Sequence, residues 1–233
     1  MNYLLQHNNS FSENEITELN SKYNEALEVL IREIDTLLEE FINQCGDIPI
    51  SNVKTRIKKV NSALEKLDRK NYEVNINSLK ENIQDMVGLR LISKFIPDVY
   101  KMREIIAGSK ILEIIDEEDY IKNPKLSGYS SYHITVLVPI NLNNKIEYIP
   151  AEIQLRTVLM DYWAEQEHIY NYKPEDKNNI LQENDQFWPN LALELREIDY
   201  KMIDNCYDKD ERLSEGFEYA TEKMLSLKKK ISM

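Results

Sequence analysis

Cysteine is scarce in this chain. There are two in 233 residues, Cys45 and Cys206, far apart and with no second Cys or His at ligand spacing. A disulfide framework and a structural zinc site are therefore unsupported, and both residues read as ordinary buried thiols. Glycine and proline are also few, at 5 and 7, which sets the chain apart from fibrous and low-complexity sequences. No run of about 18 apolar residues occurs, so no membrane span is expected. Residues Met1 to Ser12 are polar and lack the basic and apolar regions of a signal peptide, so the expected compartment is the cytoplasm. Positive charge is in deficit, with 29 Lys and Arg against 41 Asp and Glu and a formal net charge of −12. Such a chain does not coat duplex nucleic acid with its whole surface, and any anionic partner must be met locally.

What is present is ordinary globular material, 42% apolar and 30% charged, long enough to bury a sizeable core. The scarce positive charge is concentrated. Lys54, Arg56, Lys58, Lys59, Lys66, Arg69 and Lys70 lie in one short segment that holds only Glu65 and Asp68 as acids.

Helical spacing runs from Glu13 to about Gln44 through Ile16, Leu19, Tyr23, Leu27, Leu30, Ile34, Leu37, Leu38 and Phe41, with Ser12 and Glu15 as a capping box. Turn residues at Gly46 to Pro49 precede a second helical stretch to about Leu67. Asn71 to Gln84 reads as a loop and a short helix, and Met86 to Ile92 as a strand. Pro97 opens a helix to about Ala107, and Lys110 to Ile115 reads as a strand. Asp119 to Ser131 is a loop, and two strands follow, His133–Val138 and Ile146–Thr157. Helical spacing then returns in Val158–His168, about Asn178–Cys206 and Asp210–Lys229. The expected fold is α+β, with a mixed central sheet of about five strands in one domain. Its core spans about 51–173, and long helical ends span about 13–45 and 175–230.

Four constellations could carry chemistry. On the expected second helix, Lys58, Lys59, Ser62, Lys66, Arg69 and Lys70 fall within about 120° of one another at about 100° per residue. Such a face is either a solvated helix surface or a polyphosphate site. Asp85, directly before the strand that carries Arg90, either caps a turn or holds Mg²⁺ beside phosphates. In Ala151 to Arg156, alternation sends Glu152, Gln154 and Arg156 to one face, and three polar groups on a central strand are hard to explain as surface. Ser127 to His133 is a loop with exposed aromatic character in which Tyr129 either packs or stacks on a base.

These residues resemble a known family. Gln84-Asp85-Met86-Val87-Gly88-Leu89-Arg90, then Asp119 to Lys125 with Gly128-Tyr129 and Ser131-Tyr132-His133, then Glu152 to Thr157 and Trp163-Ala164 with Glu167-His168, resemble in order and spacing the synthetase domain of the RelA/SpoT proteins. The resemblance extends from about Ser51 to Lys173, and the helical ends are similar to small alarmone synthetases of the RelQ type.

The resemblance implies a GTP/GDP diphosphokinase that moves the β,γ-pyrophosphate of ATP to the 3′-hydroxyl of GDP or GTP with Mg²⁺, making (p)ppGpp and AMP. It implies Arg56 and Arg90 around adenine and Lys58, Ser62, Lys66 and Arg69 on the triphosphate. It also implies Asp85 and Glu152 as metal ligands, with Glu152 as general base, and Lys125, Tyr129, His133, Gln154 and Ala164 at the acceptor. It further implies a homotetramer. Asp35 and Leu38 stand where RelQ-type members carry basic residues that bind product, so activation by (p)ppGpp is not expected. Ser130 stands where members commonly have Arg or Gln. That departure keeps a second reading open, a catalytically weak relative that binds nucleotides or single-stranded RNA.

Overall fold

The computed structural model describes residues 12–45, 49–142, 144–171 and 186–207. Helix α1 spans Glu13–Cys45. Ser12 and Glu15 form the expected capping box, the Glu15 amide donating to Ser12 Oγ at 3.2 Å and the Ser12 amide to Glu15 Oε2 at 2.9 Å. Leu19, Tyr23, Ala26, Leu30 and Ile34 are buried at three- and four-residue spacing. Cys45, expected to be buried, is exposed at the end of this helix, where the apolar stripe has ended.

The expected second helix is two elements. Strand β1 spans Ile50–Ile57, and helix α2 spans only Val60–Arg69. Ile50, Val53, Thr55 and Ile57 are β-branched and favour a strand. Pairing with the next strand fixes the choice, since β1 runs antiparallel to it from Ile57 opposite Val87 to Ile50 opposite Ser93. Lys58 and Lys59 thus precede the helix and do not share its face. Helix α3, Ile76–Asn82, is capped by Asn75, whose side chain accepts from the Ser78 amide. Strand β2 spans Val87–Ser93 and helix α4 spans Ile96–Ala107 with Pro97 in its first turn.

Strand β3 spans Glu113–Asp119, three residues later than expected. Its Asp116, Glu117 and Glu118 lack apolar alternation because it is an edge strand, where charge is tolerated. Strands β4 (Tyr132–Leu142) and β5 (Lys145–Thr157) form a hairpin that turns at Asn144, whose φ of 62° is one that asparagine tolerates. Helix α5 spans Val158–Asn171, and helix α6 spans Phe187–Tyr207. The remainder of the expected sixth helix and the expected helix at Asp210–Lys229 lie outside the described residues.

The sheet order is β1-β2-β5-β4-β3, parallel only between β2 and β5. One face is apolar: Leu89 and Leu91 of β2, Ala151, Ile153 and Leu155 of β5, and Ile134, Val136 and Val138 of β4 pack in one core with α1 and α4. Full burial of a Leu or Ile contributes about 1.5–3 kcal/mol, so this layer dominates the stability of the sheet. The other face carries two polar rows across all five strands. Register places Lys54, Arg90, Gln154, His133 and Glu118 in one row, and Arg56, Gly88, Glu152, Thr135 and Asp116 in the next.

Candidate active site

The polar rows floor an open cleft of about 670 Å³ lined by Lys54, Arg56, Asp85, Gly88, Arg90, Glu152 and Gln154. Parallel pairing of β2 with β5 sets Gly88 beside Glu152 and Arg90 beside Gln154. Arg90 Nε donates to Gln154 Oε1 at 3.3 Å.

Asp85 holds the donor side together. Lys58 Nζ lies 2.7 Å from Oδ2 and Lys66 Nζ 3.0 Å from Oδ1. The backbone amide of Lys58, bonded to the Met86 carbonyl at 2.8 Å, places the first lysine beside the start of β2. Burial pushes the Asp85 carboxyl up, but the two ammonium groups outweigh it and hold it below the usual carboxylate range. Asp85 Oδ1 is buried and meets only the Lys66 ammonium, which leaves part of its acceptor capacity unused. A buried carboxylate oxygen with a free acceptor position suits a hard cation. Among the described residues no group of three or more His, Cys, Asp or Glu could hold a metal. Asp85 and Glu152 both line the cleft, and a cation held by the two would complete its shell with phosphate and water oxygens, the usual habit of Mg²⁺.

Glu152 anchors a second network. Its Oε1 lies 3.2 Å from His133 Nδ1, and its Oε2 accepts from Gln154 Nε2 at 2.6 Å. His133 Nε2 is 2.8 Å from the Tyr129 hydroxyl, which accepts from Arg156 Nη2 at 2.7 Å. A proton on His133 Nδ1 gives every bond of this chain a donor: Arg156 donates to Tyr129, Tyr129 to Nε2, and Nδ1 to Glu152. Burial raises the Glu152 pKa, but His133 and then Gln154 lower it further, so the carboxyl stays below its ordinary value. Lys125 completes this side, its Nζ 4.3 Å from the Tyr120 ring centroid and 5.2 Å from that of Tyr129. Trp163 meets Tyr129 edge-on at 6.3 Å, and Ala164 follows Trp163 on α5.

The structure thus gathers Lys58, Lys66 and Asp85 into one cluster and Lys125, Tyr129, His133, Glu152 and Gln154 into another. Arg56 and Arg90 line the cleft between β1 and β5. Ser62 and Arg69 share the α2 face of Lys66 but are exposed and do not join the Asp85 cluster.

Asp161 and Glu165 on α5 escaped the reading of the sequence. Asp161 Oδ1 accepts from Arg90 Nη1 at 2.8 Å and Arg156 Nη1 at 3.2 Å, and Oδ2 accepts from Lys54 Nζ at 2.7 Å. Glu165 accepts from the same lysine. Burial acts to raise the Asp161 pKa, but Lys54, Arg90 and Arg156 together pull it down. The one signal available was its place five residues after Arg156, in the first turn of the helix that continues a polar strand.

With this geometry in hand, the chain can be set beside known proteins. A family model described as a region found in RelA / SpoT proteins matches residues 55–177. GTP pyrophosphokinase YwaC of Bacillus subtilis is 35% identical over 209 residues, covering 90% of this chain and 88% of that protein. GTP pyrophosphokinase YjbM of the same organism is 36% identical over 179 residues, 75% of this chain and 82% of that one. The crystal structure of small alarmone synthetase 1 from B. subtilis bound to its product pppGpp superposes with a TM-score of 0.76 at 28% identity, over 84% of this chain and 99% of that one. A GTP pyrophosphokinase family protein from Streptococcus pneumoniae superposes with a TM-score of 0.75 at 29% identity, over 89% and 98%. The motifs, the sheet that displays them and these likenesses agree, and the chain belongs to the RelA/SpoT family, within its small alarmone synthetases.

Proposed function

We propose that this chain synthesises (p)ppGpp, transferring the pyrophosphate of ATP to the 3′-hydroxyl of GDP or GTP and releasing AMP. The observation that carries the reading is the pairing of two carboxylates in one cleft: Asp85 under Lys58 and Lys66, and Glu152 at the end of the His133–Tyr129–Arg156 chain.

In this reading ATP lies along the donor side. Arg56 and Arg90 flank adenine, while Lys58, Ser62, Lys66 and Arg69 take the triphosphate, whose charge the cluster around Asp85 is built to meet. The acceptor base lies against Tyr129, near Lys125 and Ala164, with Gln154 and His133 orienting its ribose. Glu152 takes the proton of the 3′-hydroxyl as the oxygen bonds to the β-phosphorus and the bond to the α-phosphate oxygen breaks. Its lowered pKa keeps it ionised at neutral pH, ready to accept. Mg²⁺ held by Asp85 and Glu152 supplies charge neutralisation on the phosphates when bound. The reaction belongs in the cytoplasm, where its nucleotides are, and no described helix is long and apolar enough to cross a membrane.

The binding-only reading rested on Ser130. That residue is 8% exposed, does not line the cleft, and has its hydroxyl bonded to the Tyr120 carbonyl and by Arg196. Incubation with ATP and GDP or GTP, followed by separation of the nucleotides, tests the proposal. Formation of (p)ppGpp with AMP supports it.

A further inference from the structure

Helix α6 lies beyond the matched family region, yet it is built into the acceptor loop at two points and tied to α5 at a third. Gly128, at a φ of +92°, lies so close to α6 that an added Cβ would stand 2.6 Å from Ala192 Cβ and 3.1 Å from Pro189 Cα. Arg196 Nη2 donates to Ser130 Oγ at 3.3 Å, and Ser130 donates to the Tyr120 carbonyl at 3.2 Å, closing the base of the loop. Trp163 Nε1 donates to the Trp188 carbonyl at 3.0 Å, tying the start of α6 to the side chain that meets Tyr129. Both ends of the contact are thus fixed, and the buried hydroxyl of Ser130 is occupied within the protein.

We propose that α6 clamps the acceptor loop, with Arg196 and Ser130 as positioning residues for the guanine nucleotide. This inference rests on the synthetase reading, because it presumes that the loop bearing Lys125 and Tyr129 receives the acceptor. Neither residue touches the nucleotide; they act by keeping the loop closed before it arrives, so that binding does not have to order it. The donor side is held differently: its side chains come from β1, α2 and β2, and Lys54 and Arg90 are braced by Asp161 of α5.

The test is steady-state kinetics on the full chain with each nucleotide varied in turn, with binding of a fluorescent GDP analogue measured alongside. Arg196→Ala is expected to raise KM and Kd for GDP about five-fold, the equivalent of one net hydrogen bond, and Ser130→Ala at least as much, since it also loses the bond to Tyr120. KM for ATP should stay within two-fold. The double variant should be little worse than Ser130→Ala alone, because that change already removes the contact to Arg196, and Arg196→Lys should recover part of the loss of Arg196→Ala. Ala192→Leu, which drives bulk from α6 toward Gly128, should raise KM for GDP at an unchanged kcat for saturating GDP.

Equal weakening of both nucleotides, additive losses in the double variant, or no change in KM for GDP would overturn the clamp. A variant that fails to fold is recognised by its melting curve, and the remaining variants then decide. A wild-type chain that turns over nothing yet binds the GDP analogue would count against the synthetase reading alone, and the Kd values would still judge the clamp. A wild-type chain that binds no guanine nucleotide would overturn both.

Discussion

Arg90 and Arg156 donate to one and the same oxygen of Asp161, at 2.8 and 3.2 Å. Arg90 belongs to the proposed donor side, and Arg156 leads through Tyr129 and His133 to Glu152. The two proposed nucleotide sites therefore lean on a single buried carboxylate whose side chain is 6% exposed.

Asp161→Asn is expected to disturb both sites at once. Removing the charge leaves two guanidinium groups facing one another and Lys54 paired with Glu165 alone. It should cost about 3 kcal/mol, the low end for a broken buried pair because Lys54 remains partly in water. Thermal melting should fall, and KM should rise for ATP and for GDP together. A variant with wild-type melting, or with only one KM altered, would contradict this role.

Lys66→Ala should act on one substrate only. It removes a charge-assisted phosphate contact worth roughly 1.5–3 kcal/mol, so KM for ATP should rise about ten-fold or more while that for GDP barely moves. Equal effects on both substrates would make the α2 face structural.

Asp199 gives a pH test of the fold. Buried on α6 and accepting from Thr157 Oγ1 at 2.7 Å, its carboxyl is pushed by burial from 3.8 up to about 6, despite the opposing influence of Thr157. Between those values the folded chain binds a proton that the unfolded chain does not, so stability from this group falls as pH rises through that window. At neutral pH the ionised carboxylate costs roughly 3 kcal/mol relative to acid. Asp199→Asn keeps an acceptor for Thr157 and carries no charge, so it should melt higher than wild type at pH 7.5 and equal to it near pH 4. Lower melting at both pH values would contradict the assignment.

The central strands were legible because alternation between core and cleft leaves a period of two: Ile153 and Leu155 are buried while Glu152 and Gln154 face the cleft. Strand β1 was not. Exposed on an edge and rich in lysine and arginine, it carries no alternation, and its pairing with β2 decides its state. Motif order named Asp85, Lys58 and Lys66 as candidates, but not that the two lysines pair with the carboxylate, since that depends on Lys58 leaving β1 beside the start of β2. Asp161 and Arg196 were invisible for a different reason. Their roles arise where Lys54 and Arg90, or Gly128 and Ser130, arrive from distant sequence, and a single carboxylate or guanidinium in a helix gives no local sign of that.

Assembly is a separate expectation. Ile198 and Met202 of α6 are 43% and 46% exposed, one turn apart on its outer face, and such surface commonly pairs with a symmetry mate. We predict a homotetramer built through the terminal helices, with light scattering as the check; a monomer mass at micromolar concentration would refute it. Asp35 is exposed on α1 and Leu38 half-buried, and neither offers a cation to a phosphate, so added pppGpp should leave the rate unchanged. A several-fold activation would refute that.

In the proposed reaction Glu152 serves as the base for pyrophosphate transfer between two bound nucleotides. ATP labelled at the γ-phosphate, incubated with GDP and Mg²⁺, should pass its label to a guanine nucleotide and yield AMP in equal amount. Glu152→Gln should slow this by about 10²–10⁴-fold while melting as wild type does, because the amide keeps the shape but takes no proton. Label released as free phosphate with ADP, or a Glu152→Gln variant as fast as wild type, would contradict the account.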